Sequence, residues 1–377
     1  MVEKQKRKIY LDNLRMILAV LVIIGHVAVT YSPIGYWYYN EASNTFSSYF
    51  LAFVVALLQT FIIGLFFMLS SYFIPASYMK KGSIEYFLER IKRLGIPLLV
   101  YVFVINPAIL YLLYFFEGKQ TTGFFSFYYN NILRAARFDT GPLWFIQLLL
   151  IFTLFYLIIR EISKRTGLKG TKPHDFPSYI KITVFIVIMA VVTFMVRAWF
   201  PIGRVVGTLQ LSFIPQYVIL FIIGLYAYHN NWFIKISHKT AMVWSITGLV
   251  SILLWPLIIY AGGAFSTDIT FIAGSFYWQS LVYSIWESVV CVGLIIGIIY
   301  LFKNKFDHQN IFFKKLSRSA YAVFIIHPIV IIPLSFLLRD IGIDPILKFF
   351  IVTIIAVPTC FFLALLLRKI RLIRKII

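Results

Sequence analysis

The chain has 377 residues, of which 61% are hydrophobic, and it includes 38 Phe and 24 Tyr. A soluble globular domain could not bury this much apolar surface, so the composition excludes one and indicates a polytopic membrane protein. The formal net charge is +21, but its distribution between loops argues against nucleic acid as the partner.

Ten apolar windows are long enough to cross a bilayer as helices. They cover residues 9–31, 50–74, 94–116, 143–159, 179–200, 211–228, 241–261, 277–302, 320–338 and 346–367. The predicted fold is therefore all-α, with about ten transmembrane helices. Residues 1–377 form a single transmembrane domain in this prediction, with no separate soluble domain.

Lysine and arginine are unevenly divided between alternate loops. If the N-terminus lies inside the cell, the cytoplasmic segments hold 26 Lys and Arg and the outer loops hold seven. This count assigns Arg197 and Lys348, which stand near the outer ends of their windows, to the outer loops, so that only Arg15 and Lys181 are left within spans. This positive-inside pattern predicts a multi-pass protein of the cell membrane with both termini in the cytoplasm. Its inner face would attract anionic membrane lipids or a phosphate-bearing ligand.

The segment LDNLRMILAVLVIIGHVAVTYS, residues 11–32, covers most of the first window and carries Arg15 and His26. Eleven helical steps bring the two side chains within about 20° of one face and about 16 Å apart along the axis. Ionisable groups at such depths usually line a cavity, and a histidine suits proton transfer near neutrality. In the alternative interpretation Arg15 pairs with Asp12 at the inner surface and His26 hydrogen-bonds a neighbouring helix.

The second window ends in the segment FFMLSSYF, which contains Ser70 and Ser71. Small hydroxyl residues in a membrane helix allow close packing against a neighbour. From the pattern alone, packing is the favoured interpretation of this segment.

Basic side chains stand directly before the third window, at Arg90, Lys92 and Arg93. Such a cluster is usually an ordinary part of the positive-inside signal. However, two guanidinium groups three residues apart share one helix face and can bind phosphate through paired hydrogen bonds.

Later windows contain four further polar or amphipathic candidates. Trp144 and Gln147 follow the Gly-Pro turn that opens the fourth window, where a tryptophan is typical of the membrane interface. Glu287 lies near the middle of the eighth window, where a carboxylate is costly unless it is protonated or paired with a positive charge. Arg15 or His26 could be the partner that holds it ionised. His327 precedes a proline in the ninth window, and a structural role is favoured over a catalytic one.

The two cysteines, Cys291 and Cys360, both fall within predicted spans. We therefore expect neither a disulfide framework nor a metal cluster.

The ordered set of motifs resembles the acyltransferase family 3 membrane proteins. The resemblance rests on the spacing of Arg15 and His26, FFMLSSYF, RIKR, GPLWFI, the WES triplet around Glu287, and AYAVFIIHP, and it is nearest the glucan-modifying branch. Where the family usually has Ser-Gly, this chain has Ser70-Ser71. The resemblance implies a ten-helix enzyme that moves acyl groups from cytoplasmic acyl-CoA to extracytoplasmic acceptors.

The resemblance also implies a role for each candidate residue. Donor-binding residues would be Arg90, Lys92, Arg93, Ser70 and Ser71; acceptor-binding residues would be Trp144, Gln147 and His327; catalytic residues would be His26, Arg15 and Glu287. His26 would act as general base or accept the acyl group itself. Arg15 would orient the donor or stabilise negative charge, and Glu287 would hold the imidazole or position the acceptor.

The resulting prediction is an O-acyltransferase with no permanently bound cofactor. Acyl-CoA, with acetyl-CoA favoured and succinyl-CoA as a further donor, would acylate a hydroxyl of a glycan or similar acceptor. The rival hypotheses are a transporter or exporter of a polysaccharide or lipid-linked sugar, and a non-catalytic membrane partner of a polysaccharide synthase. Intramembrane Arg, His and Glu would form a proton or substrate path in a transporter.

Overall fold

The computed structural model describes residues 8–43, 45–119, 122–166, 172–261 and 270–376. Within these ranges, ten helices are long and apolar enough to cross a membrane, which confirms the ten predicted spans. They are α1 (Ile9–Thr30), α2 (Phe46–Lys81), α3 (Ser83–Phe116), α4 (Gly141–Arg165), α5 (Tyr179–Trp199), α6 (Leu211–Asn230), α7 (His238–Tyr260), α8 (Trp278–Lys305), α9 (Ile311–Leu337) and α10 (Pro345–Leu367). Helices suit this sequence because each one satisfies its backbone hydrogen bonds internally, as the bilayer interior requires.

The interior of the bundle is formed mainly by α1, α8 and α9. In their most apolar windows 61%, 61% and 67% of residues are buried, against 17% in α7 and 28% in α10. α1 packs against α2, α8, α9 and α10. The helix that carries Arg15 and His26 is therefore enclosed by other helices, and α7 and α10 present most of their apolar surface outward.

Helix α3 departs from a regular α-helix at two places. Its turns at Ile91–Gly95 and Tyr101–Ile105 are π-helical. Pro97 and Pro107 each stand four residues after a position in one of these turns, and a proline ring clashes with the carbonyl four residues before it. The wider turn relieves this clash. The helix begins at Ser83, eleven residues before the predicted window, so the RIKR segment is helical.

Close helix packing depends on small residues. A side chain at Gly224 of α6 would overlap Ser71 and the carbonyl of Met68 in α2. Gly293 of α8 faces Gly248 of α7 in the same manner. Such contacts between small residues are a common means of association for membrane helices.

The ends of the bundle differ in composition and connections. At the end where α1 begins, the Tyr10 amide donates to the Asp307 carboxylate at 3.0 Å, and Arg368 donates to the carbonyl of Arg318. We call this the basic end. At the opposite end, β1 (Val205–Val206) and β2 (Leu209–Gln210) form a short antiparallel hairpin between α5 and α6. Which side of the membrane the basic end faces stays a prediction.

Candidate active site

Two histidines and a tryptophan meet in the half of the bundle away from the basic end. The His26 ring of α1 lies 4.2 Å from the Trp37 ring and 4.8 Å from the His327 ring of α9, between ring centres. Trp37 and His327 are nearly parallel, with centres 5.9 Å apart. We call these three residues the histidine cluster. The sequence singled out both histidines separately, but it gave no signal for Trp37, which lies in the loop between α1 and α2.

The hydrogen bonds of the two imidazoles determine which nitrogen is free. His26 Nδ1 lies 2.9 Å from the Val22 carbonyl oxygen, and His327 Nδ1 lies 2.7 Å from that of Phe324. A carbonyl only accepts, so we assign the proton to Nδ1 in both rings, and the neutral imidazoles then keep a lone pair on Nε2. His26 makes no hydrogen bond through Nε2 to any described residue, so this nitrogen is available as a base.

The loop that carries Trp37 is attached on both sides of the tryptophan. The Tyr38 hydroxyl contacts the Tyr101 hydroxyl at 3.0 Å. The Glu41 carboxylate pairs with Lys348 of α10, whose side chain is 4% exposed. Gly141, at the start of α4, has a positive φ of 48°, and a side chain there would overlap Tyr38. These contacts hold Trp37 against the histidines.

Arg15 lies nearer the basic end and makes contacts of its own. Its guanidinium is 3.9 Å from the Asp12 carboxylate, donates to the Leu69 carbonyl at 3.3 Å and lies 4.3 Å from the Phe73 ring centre. The pairing with Asp12 matches the alternative interpretation of this residue. Helical geometry separates Arg15 from His26 by about 16 Å of rise, so the two residues serve different levels of the bundle.

Several arginines lie together with Arg15 at the basic end. Arg90 and Arg93 are close enough for their charges to act on Arg15, and the Arg93 carbonyl accepts from Tyr321 at 2.8 Å. Burial, together with the like charges of Arg318 and Arg93, lowers the pKa of the Arg368 guanidinium. We call the set formed by Arg15, Arg90, Arg93, Arg318 and Arg368 the arginine cluster.

The arginine cluster has the properties of a site for a polyanion. Guanidinium groups stay charged and bind phosphate through paired hydrogen bonds, and the repulsion between them favours an anionic ligand. Arg90 is oriented by a 2.7 Å hydrogen bond from Nε to the Tyr86 hydroxyl. Lys92 is exposed. Sequence reasoning missed Arg318 and Arg368 because they come from α9 and from the end of α10, far along the chain.

Glu287 has a different partner from the one expected. Its carboxylate accepts a 2.7 Å hydrogen bond from Arg197 of α5, and the two side chains are 2% and 0% exposed. Arg197 also donates to Ser284 at 3.1 Å. The pairing of Glu287 with Arg15 or His26 was therefore wrong. Arg197 was counted in an outer loop because it stands near the end of its window, but it is helical and faces the interior.

The remaining sequence candidates occupy separate positions. Trp144 stacks on Tyr217 of α6, with ring centres 5.6 Å apart. Gln147 accepts a 2.9 Å hydrogen bond from Thr208 in the hairpin turn. Ser71 donates to Met68 and packs against α6, which agrees with the packing interpretation. Ser70 is half-buried and adjoins Leu69, whose carbonyl binds Arg15. The substrate roles of these four residues stay predictions.

Among the described residues, ten apolar helices surround buried ionisable side chains, and this arrangement defines a multi-pass membrane protein. The family model described as "Acyltransferase domain" matches residues 8–365, so the chain belongs to the acyltransferase 3 family. This membership confirms the resemblance that the motifs indicated.

Curated relatives include proteins named "Glucans biosynthesis protein C" from Escherichia coli strains K12 and SMS-3-5. They are 23% identical to this chain over 186 residues, which is 49% of this chain and 47% of the relatives. The chain thus spans about half the length of the curated relatives it matches. No solved structure matches it.

Proposed function

We propose that the protein transfers an acyl group, acetyl or succinyl, from acyl-CoA to a hydroxyl group of a glycan or similar acceptor. The observation that carries this proposal is the orientation of His26, whose Nδ1 contacts the Val22 carbonyl and whose Nε2 has no hydrogen-bond partner among the described residues. Such a nitrogen is what acyl transfer to a hydroxyl requires of a base or of an acyl-accepting nucleophile.

The donor would bind from the basic end, which faces the cytoplasm in this proposal. The arginine cluster supports this orientation, because its guanidinium groups match the phosphate groups of coenzyme A in charge and hydrogen-bonding geometry. Arg90 and Arg93 would hold these phosphates, with Lys92 at the rim. Anionic membrane lipids would also concentrate at this end.

The pantetheine arm would carry the thioester from the arginine cluster toward His26. Arg15, a member of that cluster on α1, donates to the Leu69 carbonyl beside Ser70, so it would orient the arm as it enters the bundle. The rise of about 16 Å from Arg15 to His26 is a distance that the extended arm can cover.

The chemistry is a transfer of the acyl carbon from sulfur to oxygen. The acceptor oxygen attacks the thioester carbonyl, and His26 Nε2 takes the hydroxyl proton. The C–S bond breaks, the ester C–O bond forms, and the proton passes from His26 to the thiolate, which leaves as coenzyme A. In the alternative order Nε2 first displaces the thiolate of coenzyme A from the acyl carbon. The acceptor oxygen then displaces the imidazole from the acyl-histidine, and the hydroxyl proton passes to the thiolate.

A glycan acceptor is supported by the relatives' name, which refers to glucan biosynthesis. The acceptor would approach from the end opposite the arginine cluster, where the histidine cluster lies. Acceptors that are extracytoplasmic or lipid-linked fit this arrangement.

The test uses the purified protein in lipid nanodiscs with acetyl-CoA and a glucan oligosaccharide. Release of free coenzyme A and formation of an alkali-labile acetyl ester are the expected results. A transporter or a non-catalytic partner protein would consume no thioester, and that outcome would contradict the proposal.

A further inference from the structure

Two ring nitrogens of the histidine cluster are buried and have no hydrogen-bond partner within the part of the chain that the structure describes. They are Nε1 of Trp37, which is a donor, and Nε2 of His327. Leaving a buried polar atom unpartnered costs about 1–3 kcal/mol, so two such atoms side by side require an explanation, such as a bound molecule or a functional role. Both rings contact His26, whose Nε2 is the proposed base.

The chemistry of these nitrogens selects one kind of ligand group. The indole N–H only donates, and each imidazole Nε2 accepts when the ring is neutral with its proton on Nδ1. A hydroxyl oxygen can accept from an N–H and donate to an imidazole at the same time. A carbonyl oxygen can only accept, and an ammonium group can only donate. A neutral hydroxyl therefore suits both nitrogens, whereas a protonated amine leaves the indole N–H unpartnered.

The position of Trp37 is fixed before any ligand arrives. Tyr38 attaches the loop to α3 through Tyr101, and Glu41 attaches it to α10 through Lys348. The Glu41 amide also donates to the Thr30 carbonyl at the end of α1, at 2.6 Å. A donor held in place on both sides loses little conformational entropy on binding, which makes it an effective recognition group.

We propose that Trp37 binds the acceptor by donating its indole N–H to the hydroxyl that becomes acylated, and that it selects hydroxyl over amine acceptors. This inference rests on the proposed function, because it assumes that transfer takes place at His26. The accepted class is a neutral, polyhydroxylated molecule. His327 would accept through Nε2 from a neighbouring hydroxyl of the same acceptor, because the proton of the acylated hydroxyl goes to His26.

The test is Trp37→Phe, which removes the N–H and keeps an aromatic ring in the loop. We expect the KM for a linear glucan hexasaccharide to rise about 3- to 10-fold, the effect of one neutral hydrogen bond. The KM for acetyl-CoA stays the same. The matched control is Trp199→Phe, since Trp199 is exposed and packs on Phe276 at the end of α5; its KM values should equal those of the wild type.

Amine discrimination gives a second readout. The ratio of ester to amide formed on a glucosamine-containing oligosaccharide should fall in Trp37→Phe. If the hexasaccharide is not acylated by the wild type, the same variants are compared by alkali-labile acetyl label transferred from acetyl-CoA to the glycans of native membranes. In that assay, when the concentration of acceptor glycan limits the rate, Trp37→Phe should transfer less acetyl label than Trp199→Phe.

Unchanged acceptor dependence and an unchanged ester-to-amide ratio in Trp37→Phe would overturn this inference. A wild type that releases no coenzyme A from acetyl-CoA under any condition would instead contradict the proposed function. The two failures are therefore distinguishable.

Discussion

Replacing His26 with Gln removes the proposed base and retains most of the local structure. The glutamine amide can still donate to the Val22 carbonyl, which His26 Nδ1 contacts at 2.9 Å. The cost to stability is therefore at most that of one hydrogen bond, about 1 kcal/mol. A general base contributes about 10²- to 10⁴-fold to a rate, which corresponds to about 2.7–5.5 kcal/mol of activation free energy. We expect His26→Gln and His26→Ala to lose at least this factor in acyl transfer.

The assay is ester formation by the purified variants at saturating acetyl-CoA, with donor binding measured separately. Donor binding should stay near that of the wild type, because the arginine cluster lies at another level of the bundle. His238→Gln is the matched control, since this histidine is exposed at the start of α7 and its ring centre lies 5.7 Å from that of Tyr300. A His26→Gln protein with the wild-type rate would refute the catalytic role of α1, because an amide side chain is not a base at neutral pH.

The remaining predictions concern the donor site, the buried ion pair and the orientation. Arg90→Ala combined with Arg93→Ala should weaken acyl-CoA binding about 100-fold, because two charge-assisted contacts are lost and partial exposure keeps the free energy of each at the low end of its usual range. Unchanged binding, measured by calorimetry, would mean that the RIKR segment serves only to orient the protein in the membrane. Arg15→Lys keeps the positive charge but loses the planar guanidinium group, so we expect acyl transfer to be lost. Turnover at the wild-type rate would contradict the role of Arg15. Glu287→Gln leaves the buried Arg197 charge unpaired, so it should destabilise the fold by about 3–5 kcal/mol, seen as a lower apparent Tm; a variant that also replaces Arg197 with Met should recover stability. A reporter at the C-terminus should be cytoplasmic, and one in the loop between α1 and α2 should be outside.

The ten spans were predictable because the bilayer imposes one solution on every long apolar segment. With each backbone group satisfied inside its own helix, length and hydropathy suffice to find the spans. The start of α3 was missed because Arg90, Lys92 and Arg93 lower the local hydropathy, although their backbone continues the helix from Ser83. Charge marks the edge of the apolar region, and the helix itself extends beyond that edge.

The site was predictable where it depends on one helix and missed where it depends on contacts between elements. Helical periodicity related Arg15 to His26, and both lie on α1 as expected. No periodicity could reveal that Trp37 folds back onto His26, because loop contacts depend on the attachments of that loop. Arg197 resembled an interfacial arginine, and only the packing of α5 against α8 pairs it with Glu287.

The most direct test of the central claim is acyl transfer across a membrane of known sidedness. Proteoliposomes with the basic end of the protein outward receive radiolabelled acetyl-CoA outside and enclose a glucan oligosaccharide. We predict that acetyl ester accumulates on the enclosed oligosaccharide, that one coenzyme A is released outside for each ester, and that both stop in His26→Gln. Ester formation only when donor and acceptor share one side, or equal transfer by His26→Gln, would contradict this prediction.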